Sequence, residues 1–357
     1  MEYQEALDWL YCQKKLKKRE DLSRIKRCIA LLKIQTNYQI IHIAGTNGKG
    51  SVASYLNTIL SLAGKKVGLF VSPFVISFNE RIQVNQAYIS DEEVIRIIQK
   101  LKVFSEDYFK EYQDVIPFFE LTLLMALLYF QQQEIDVLVL ECGLGGLLDA
   151  TNALDKDLAI ITNIGYEHVK ELGPTLEDIA RHKLGITRRD TPCLTNVEED
   201  LLPLFTTYAQ EHHFPLIYVQ KNVQKIYLTE DKTCFTYKER FYQSSLYGVF
   251  QAYNASLAIE AIHQLYKEIS NETIQKALLE VFWPGRFEKI ASNIILDGAH
   301  NVHGIQALVQ TIKAAYPKKK IKIVFTALKD KAISEMLTSL DSISAYYYFT
   351  TILDSRA

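Results

Sequence analysis

Methionine, tryptophan and cysteine are scarce in this 357-residue chain, with three, two and five copies. The cysteines (Cys12, Cys28, Cys142, Cys193 and Cys234) are scattered, odd in number and never in a C-x-x-C pair. That argues against a disulfide frame or a zinc site and implies reduced thiols in a cytoplasmic protein. Neither sign of charge dominates: 40 Lys and Arg stand against 42 Asp and Glu. No basic face of the kind that grips nucleic acid is implied. Long hydrophobic runs are absent as well. The longest, such as LTLLMALLYF (121–130), fall far short of a membrane span of about 20 residues. The first residues, MEYQEALDWL, lack the basic stretch and apolar core of a signal peptide. A monomer with neither nucleic-acid nor membrane partners is therefore expected. With 48% hydrophobic residues, the chain has enough apolar material for two packed domains.

Strand-like and helix-like stretches alternate without internal repeat. Residues 38–44 (YQIIHIA) read as a buried strand, then a glycine-rich turn, then a helix near 50–63 closed by Gly64. Strands are expected at 66–71, 135–141 and 157–162, with helices around 118–132 and 175–187. Short β-branched runs separated by helices imply a parallel sheet covered on both faces. Ligands gather beyond the carboxyl ends of such strands. Trp283-Pro284-Gly285-Arg286 breaks the preceding helix and marks a boundary. The fold class is α/β: a parallel-sheet P-loop domain over 1–285 and a smaller α/β domain over 286–357. The second domain reads as truncated, because only three strands, near 294–297, 321–327 and 346–351, receive helices around 303–315 and 331–340. An exposed strand edge and apolar patch are expected there.

The chemistry-bearing residues fall at strand ends. Gly45-Thr46-Asn47-Gly48-Lys49-Gly50-Ser51 follows a strand and opens a helix, so its N–H groups can cradle phosphate. Lys49 would reach the terminal phosphates and the Ser51 hydroxyl would sit near a metal. Ile43 stands where the Walker pattern has its first glycine. Glu141 ends an apolar strand before Cys142-Gly143-Leu144-Gly145-Gly146; it could ligate magnesium directly or through water, or be a solvated acid. His168 follows another strand and is balanced between metal ligand and structural residue. Lys183 lies on an expected helix and by itself reads as a surface lysine. Asp297 follows a strand too; it could meet a ribose hydroxyl or an amine, or cap a polar turn. His212-His213 reads as a solvated pair, and Tyr346-Tyr347-Tyr348 as strand packing.

Taken together, several blocks resemble the folylpolyglutamate synthase and dihydrofolate synthase family, within the Mur ligase superfamily. They are HIAGTNGKGS (42–51), SPFVISFNERI (72–82), FFELTLLMA (118–126), LECGLGGLLDATN (140–152), TNIGYEHVKELGPTLEDIARHKLGI (162–186), FQAYNA (250–255), WPGRFE (283–288) and LDGAHN (296–301). The resemblance implies ATP held by Gly45 to Ser51 and by Asn254, Arg286 and Asp297. It implies magnesium (Mg2+) held by Ser51, Ser72, Glu141 and His168. It implies a carbamylated Lys183 that organises the metal site. Phe119, Glu120, Asp149, Thr151, Asn152 and His300 would lie toward the substrates. Those substrates would be a folate or dihydropteroate, L-glutamate and ATP, joined through an acyl phosphate.

The chain also departs from the family pattern. It has Phe74 for a histidine, Leu147 for an arginine, Glu167 for an aspartate and Phe250 for a histidine. Losing the arginine removes a planar donor fork suited to carboxylates. Two other readings stay open: a Mur-type ligase of cell-wall precursors, and a truncated paralogue that binds nucleotide without ligating.

Overall fold

The computed structural model describes residues 1–13, 21–329 and 331–351. Its centre is an eight-stranded sheet built from β1 (Gln39–Ala44), β2 (Val67–Phe70), β3 (Ile82–Val84), β4 (Ala87–Tyr88), β5 (Val137–Glu141), β6 (Leu158–Ile161), β7 (Cys193–Thr195) and β8 (Leu216–Tyr218). The order is β4-β3-β2-β5-β1-β6-β7-β8. All pairings from β2 to β8 are parallel; β3 and β4 add an antiparallel edge.

Both faces are covered, and the residues show why. Along β1 and β5, Ile41, Ile43, Val137 and Val139 point into one core, with the helices Lys49–Leu62 and Val249–Leu265. Ile40, Leu138 and Leu140 point into the other, with Asp91–Tyr112 and Phe118–Gln133. Alternation with period two sends successive side chains to opposite faces, so a strand covered twice is apolar throughout. The helix Phe118–Gln133 is largely buried from Glu120 to Phe130 and ends in Gln131, Gln132 and Gln133; no helix among the described residues is long and apolar enough to cross a membrane. A third core forms under Leu176–Leu184 and Leu202–His212. Three antiparallel strands, β9 (Val223–Leu228), β10 (Thr233–Tyr237) and β11 (Arg240–Ser244), flank the first core.

The segment after Arg286 corrects one expectation. The strand near 294–297 does not join the strands near 321–327 and 346–351. Instead β12 (Glu288–Ala291) and β13 (Ile294–Leu296) form an antiparallel hairpin. Ser292 and Asn293 make its turn, a composition suited to tight reversal. Among the described residues of this segment, parallel pairing is left to β14 (Ile321–Phe325) and β15 (Ser344–Phe349). One side of this pair packs on Val302–Ala315 and Ile333–Asp341 through Ile323, Phe325 and Tyr347. Val324, Tyr346 and Tyr348 remain exposed, so the expected apolar patch is present.

Candidate active site

The glycine loop leaves β1 at the middle of the sheet. Gly45 has φ +147°, and a Cβ there would lie 1.8 Å from Thr162 Oγ1. Gly48, at φ +84°, is the N-cap of Lys49–Leu62, and no side chain caps that helix. The N–H groups of its first turn therefore lack intrahelical acceptors and carry the positive end of the helix dipole. The earlier part of the loop is fastened to the turn after β6. Thr46 N donates to Asn163 O at 3.0 Å and Asn47 N to Asn163 Oδ1 at 2.9 Å. Thr46 Oγ1 donates to Gly165 O and accepts from Gly165 N. Thr46 and Asn47 thus spend their N–H groups inside the protein, and the open end of the helix begins at Gly48. Lys49 curls back and donates to Gly45 O at 2.8 Å and Thr46 O at 3.0 Å. Gln251 Nε2 donates to Ser51 Oγ at 3.3 Å, and Asn254 Nδ2 to Gln251 Oε1 at 3.0 Å.

Glu141 ends β5, next to β1, and is buried. One carboxylate oxygen accepts the N–H of Ser72 at 3.0 Å. Burial raises its pKa, against the opposing pull of Lys49, the Ser72 N–H and Arg286. Glu167 feels the charge of Lys49 as well. Burial would raise its pKa, but Lys49, Lys183 and His168 together hold it below the ordinary glutamate value. His168, at φ +45°, opens the short helix Val169–Leu172. Burial lowers its pKa, and Glu167 acts the other way.

Lys183 is not the surface residue that its helix position alone suggests. It is 1% exposed and pairs directly with Glu167. Burial pushes its pKa down, against Glu167. Its helix is fixed by Asn152, whose Nδ2 donates to Leu147 O at 2.9 Å and Gly185 O at 3.0 Å. Lys156 and Arg188 donate to Asn152 Oδ1. Asp149 accepts from Leu144 N and from Thr151 N and Oγ1. Thr151 Oγ1 also lies 2.8 Å from His42 Nε2. These three residues hold the 143–147 loop from beneath by internal bonds.

Glu120 is likewise engaged: Arg24 grips both of its oxygens at 2.9 Å. Phe119 packs edge-on to Phe70 and against Gly143, at the floor of the same loop. Beyond the boundary, Asp297 accepts N–H bonds from Phe287 and Ala299, each at 2.8 Å, and burial raises its pKa. Arg286 donates to Gly285 O and acts electrostatically on Asp297, Glu141 and His300. His300 Nδ1 lies 2.8 Å from Gly298 O, which makes Nδ1 the donor and Nε2 the acceptor.

Sequence reasoning passed over several residues that shape this site. Glu167 enters the sequence pattern only as a departure, Gln251 and Asn301 only as members of quoted blocks without a role of their own, and Arg24 not at all. Asn301 Nδ2 donates to Asn47 Oδ1 at 2.9 Å, and Asn47 Nδ2 to Asn301 Oδ1 at 3.2 Å. The pairing of Asn47 with Asn301 spans 254 positions, so no local pattern announces it.

The Mur ligase middle domain family matches residues 113–262, and the Mur ligase glutamate ligase domain family matches residues 285–357. The dihydrofolate synthase/folylpolyglutamate synthase of Bacillus subtilis (strain 168) is 34% identical over 371 aligned residues, covering 99% of this chain and 86% of that protein. A solved folylpolyglutamate synthase complex with AMPPCP and folate superposes with a TM-score of 0.92 at 29% identity, covering 99% of this chain and 90% of that one. The apo form of the Lacticaseibacillus casei enzyme gives a TM-score of 0.90 at 27% identity, over 100% of this chain and 90% of that one.

Proposed function

This chain belongs to the dihydrofolate synthase/folylpolyglutamate synthase family, and on that premise we propose how its site makes an amide bond. It is an ATP-dependent acid–amino-acid ligase. ATP rests its phosphates on the uncapped N-terminus of Lys49–Leu62, with Lys49 released from the loop carbonyls to meet them. Arg286, Asp297 and Asn254 flank the nucleotide. A folate carboxylate attacks the γ-phosphorus, ADP leaves and an acyl phosphate forms. Lys49 neutralises charge as it develops on the transferring group. The amine of L-glutamate then attacks the acyl carbon, phosphate leaves and the amide remains. His300 Nε2, an acceptor on a ring whose pKa burial lowers so that it stays uncharged, suits the proton that the amine must lose. The single observation that carries this reading is the open helix N-terminus, with Lys49 acting on Glu141 at the end of the neighbouring strand.

Magnesium fits the donors present. Among the described residues no three His, Cys, Asp or Glu side chains cluster as a metal site. Mg2+ needs only one or two carboxylates and keeps several waters. Glu141 would hold it, with Ser51, Ser72 and His168 completing the neighbourhood. When bound, the ion supplies charge neutralisation at the phosphate oxygens. The resemblance also implies a carbamate on Lys183. Its burial favours the neutral amine that such a modification needs, while its pairing with Glu167 opposes it.

Residues 1–285 and 286–357 act as two domains whose approach excludes water from the acyl phosphate. The protein works as a cytoplasmic monomer on small molecules. The test is ADP release with ATP, magnesium, glutamate and either a tetrahydrofolate or dihydropteroate. Stimulation that requires both the pterin and glutamate is expected. Its absence with every pterin would favour a paralogue that binds nucleotide without ligating.

A further inference from the structure

Asn47 stands in the middle of the nucleotide loop with each of its polar groups engaged. Its N–H donates to Asn163 Oδ1 at 2.9 Å and its carbonyl accepts from Thr162 Oγ1 at 2.6 Å, so the first domain fixes its backbone. Its side chain is held by the second domain. Oδ1 accepts from Asn301 Nδ2 at 2.9 Å, while Nδ2 lies 3.2 Å from Asn301 Oδ1 and 3.1 Å from His303 Nδ1. His303 is half-buried and packs on the turn after β6, where a Cβ at Gly165 would stand 3.4 Å from its own Cβ.

The directions of these hydrogen bonds fix the proton on His303. The N–H of Gly304 can only donate, so the Asn301 atom 2.7 Å away is its carbonyl oxygen. The Asn47 atom facing that oxygen is then the amide nitrogen, because two carbonyl oxygens would repel. An amide nitrogen donates and does not accept, so His303 Nδ1 receives its second hydrogen. The ring is neutral, with its proton on Nε2. His300, three positions earlier, has the opposite tautomer, since its Nδ1 donates to Gly298 O. Two imidazoles at the start of one helix thus have separate tasks: His300 keeps an acceptor free, and His303 spends its acceptor on the nucleotide loop.

We propose that His303 is a positioning residue, which seats the glutamate ligase domain on Asn47 through its bare Nδ1 and so orients His300 and Asp297 toward the nucleotide. Its bearing on turnover rests on the ligase reading above; the contact itself does not. The Asn301 pair alone would leave one hydrogen of the Asn47 amide unspent and the domain attached through a single side chain. His303 adds a second attachment to the same amide, and two attachments define an orientation. The first domain holds the Asn47 backbone independently, so nucleotide binding survives without His303. The glutamate step does not, because a small misplacement of a reacting group is costly.

The experiment compares two amides in place of the imidazole. Asparagine carries Oδ1 where the ring carries Nδ1, whereas glutamine carries its amide where the ring carries Nε2. His303→Asn should keep kcat/KM for glutamate within about threefold of wild type, and His303→Gln should lower it about tenfold. Affinity for a non-hydrolysable ATP analogue should be unchanged in both. The same pair is followed without turnover by hydrogen exchange of residues 297–305 in the free chain. Protection should match wild type in His303→Asn, and exchange should be about tenfold faster in His303→Gln. Equal behaviour of the two variants, or rescue by glutamine in place of asparagine, overturns the proposal. So does an ATP-analogue affinity that falls as far as kcat/KM, which would make His303 a support of the loop alone. If wild type releases no ADP with any pterin, the ligase reading fails while the exchange measurement still decides whether His303 seats the domain.

Discussion

Two strand–loop–helix units sit on either side of the site, and they differ in almost every physical respect. In the first, β1 runs through the middle of the eight-stranded sheet with five of its six residues buried. In the second, β13 belongs to a two-stranded hairpin and leaves Ile294 and Leu296 exposed. The first helix begins at Gly48 with no side-chain cap. The second begins at Asn301, whose Oδ1 accepts the N–H of Gly304 at 2.7 Å. An uncapped N-terminus on a rigid strand is a place to bind an anion. A capped one on a lightly packed hairpin has satisfied its own donors and serves to dock. The Asn47–Asn301 amide pair joins the two units.

The harshest way to break this comparison is Lys49→Ala. Removing the point charge at the open helix end should lower pterin- and glutamate-dependent ADP release by about a hundredfold or more, with the circular dichroism spectrum unchanged. Near-normal release would show that the first unit is not the phosphate site.

Next comes Glu167→Gln, which strands the buried Lys183 ammonium. A loss of about 3–5 kcal/mol in urea unfolding is expected. The pH dependence follows from the depressed pKa of Glu167. Its contribution is present above the ordinary glutamate value and is lost as pH falls through the lower, folded-state value. Lys183 has the same sign: its folded pKa lies below the unfolded one, so the unfolded chain binds more protons in between and stability rises with pH there. Unfolding curves stepped through the acid range should converge for wild type and Glu167→Gln. Curves that stay parallel would remove Glu167 from the account.

Gly48→Ala should be milder. The left-handed φ costs about 1–2 kcal/mol for a residue with a side chain, and the new Cβ would lie 2.4 Å from Asn254 Oδ1. Calorimetry with an ATP analogue should show roughly tenfold weaker binding. Unchanged affinity would mean that the loop conformation does not matter to the nucleotide.

Asn301→Ser should be the mildest. Serine can keep the cap on Gly304, whereas the bonds to Asn47 are lost, at about 0.5–1.5 kcal/mol each. A fall of about tenfold or less in kcat/KM with little change in Tm sharpens the contrast between the units. A loss as severe as that of Lys49→Ala would make the second unit part of the phosphate site and erase the distinction.

How much of this was legible depends on the range of the interaction. β1, its loop and the helix after it are a local pattern: β-branched residues, then glycines, then a helix. The ends of β5 and β6 read the same way. The helix Asp91–Tyr112 carried its own signal, Ser90 capping Glu93 N with acids in the first turn, but it contains no chemistry-bearing motif and was not read. The state of Lys183 was invisible because its partner Glu167 lies on a different turn of the chain and its burial is tertiary. The same holds for Glu120, which meets Arg24 from 96 positions away. The hairpin β12–β13 displaced the expected strand because its turn lies so close in sequence that local pairing precludes a longer reach.

The glycines of the nucleotide loop carry a consequence for how such a sequence can drift. Gly50 has no special backbone angle; what forbids a side chain there is the indole of Trp283, 2.8 Å from where a Cβ would stand. Gly48 is excluded twice, by Asn254 and by its own φ of +84°. The two positions should therefore evolve under different rules. A lineage that first exchanged Trp283 for a small residue would find Gly50→Ala newly permitted, whereas no exchange at Asn254 would free Gly48. The tolerance of one letter in the motif is set by a residue more than two hundred positions downstream, and the order in which the two substitutions arrive decides whether the path between them is open.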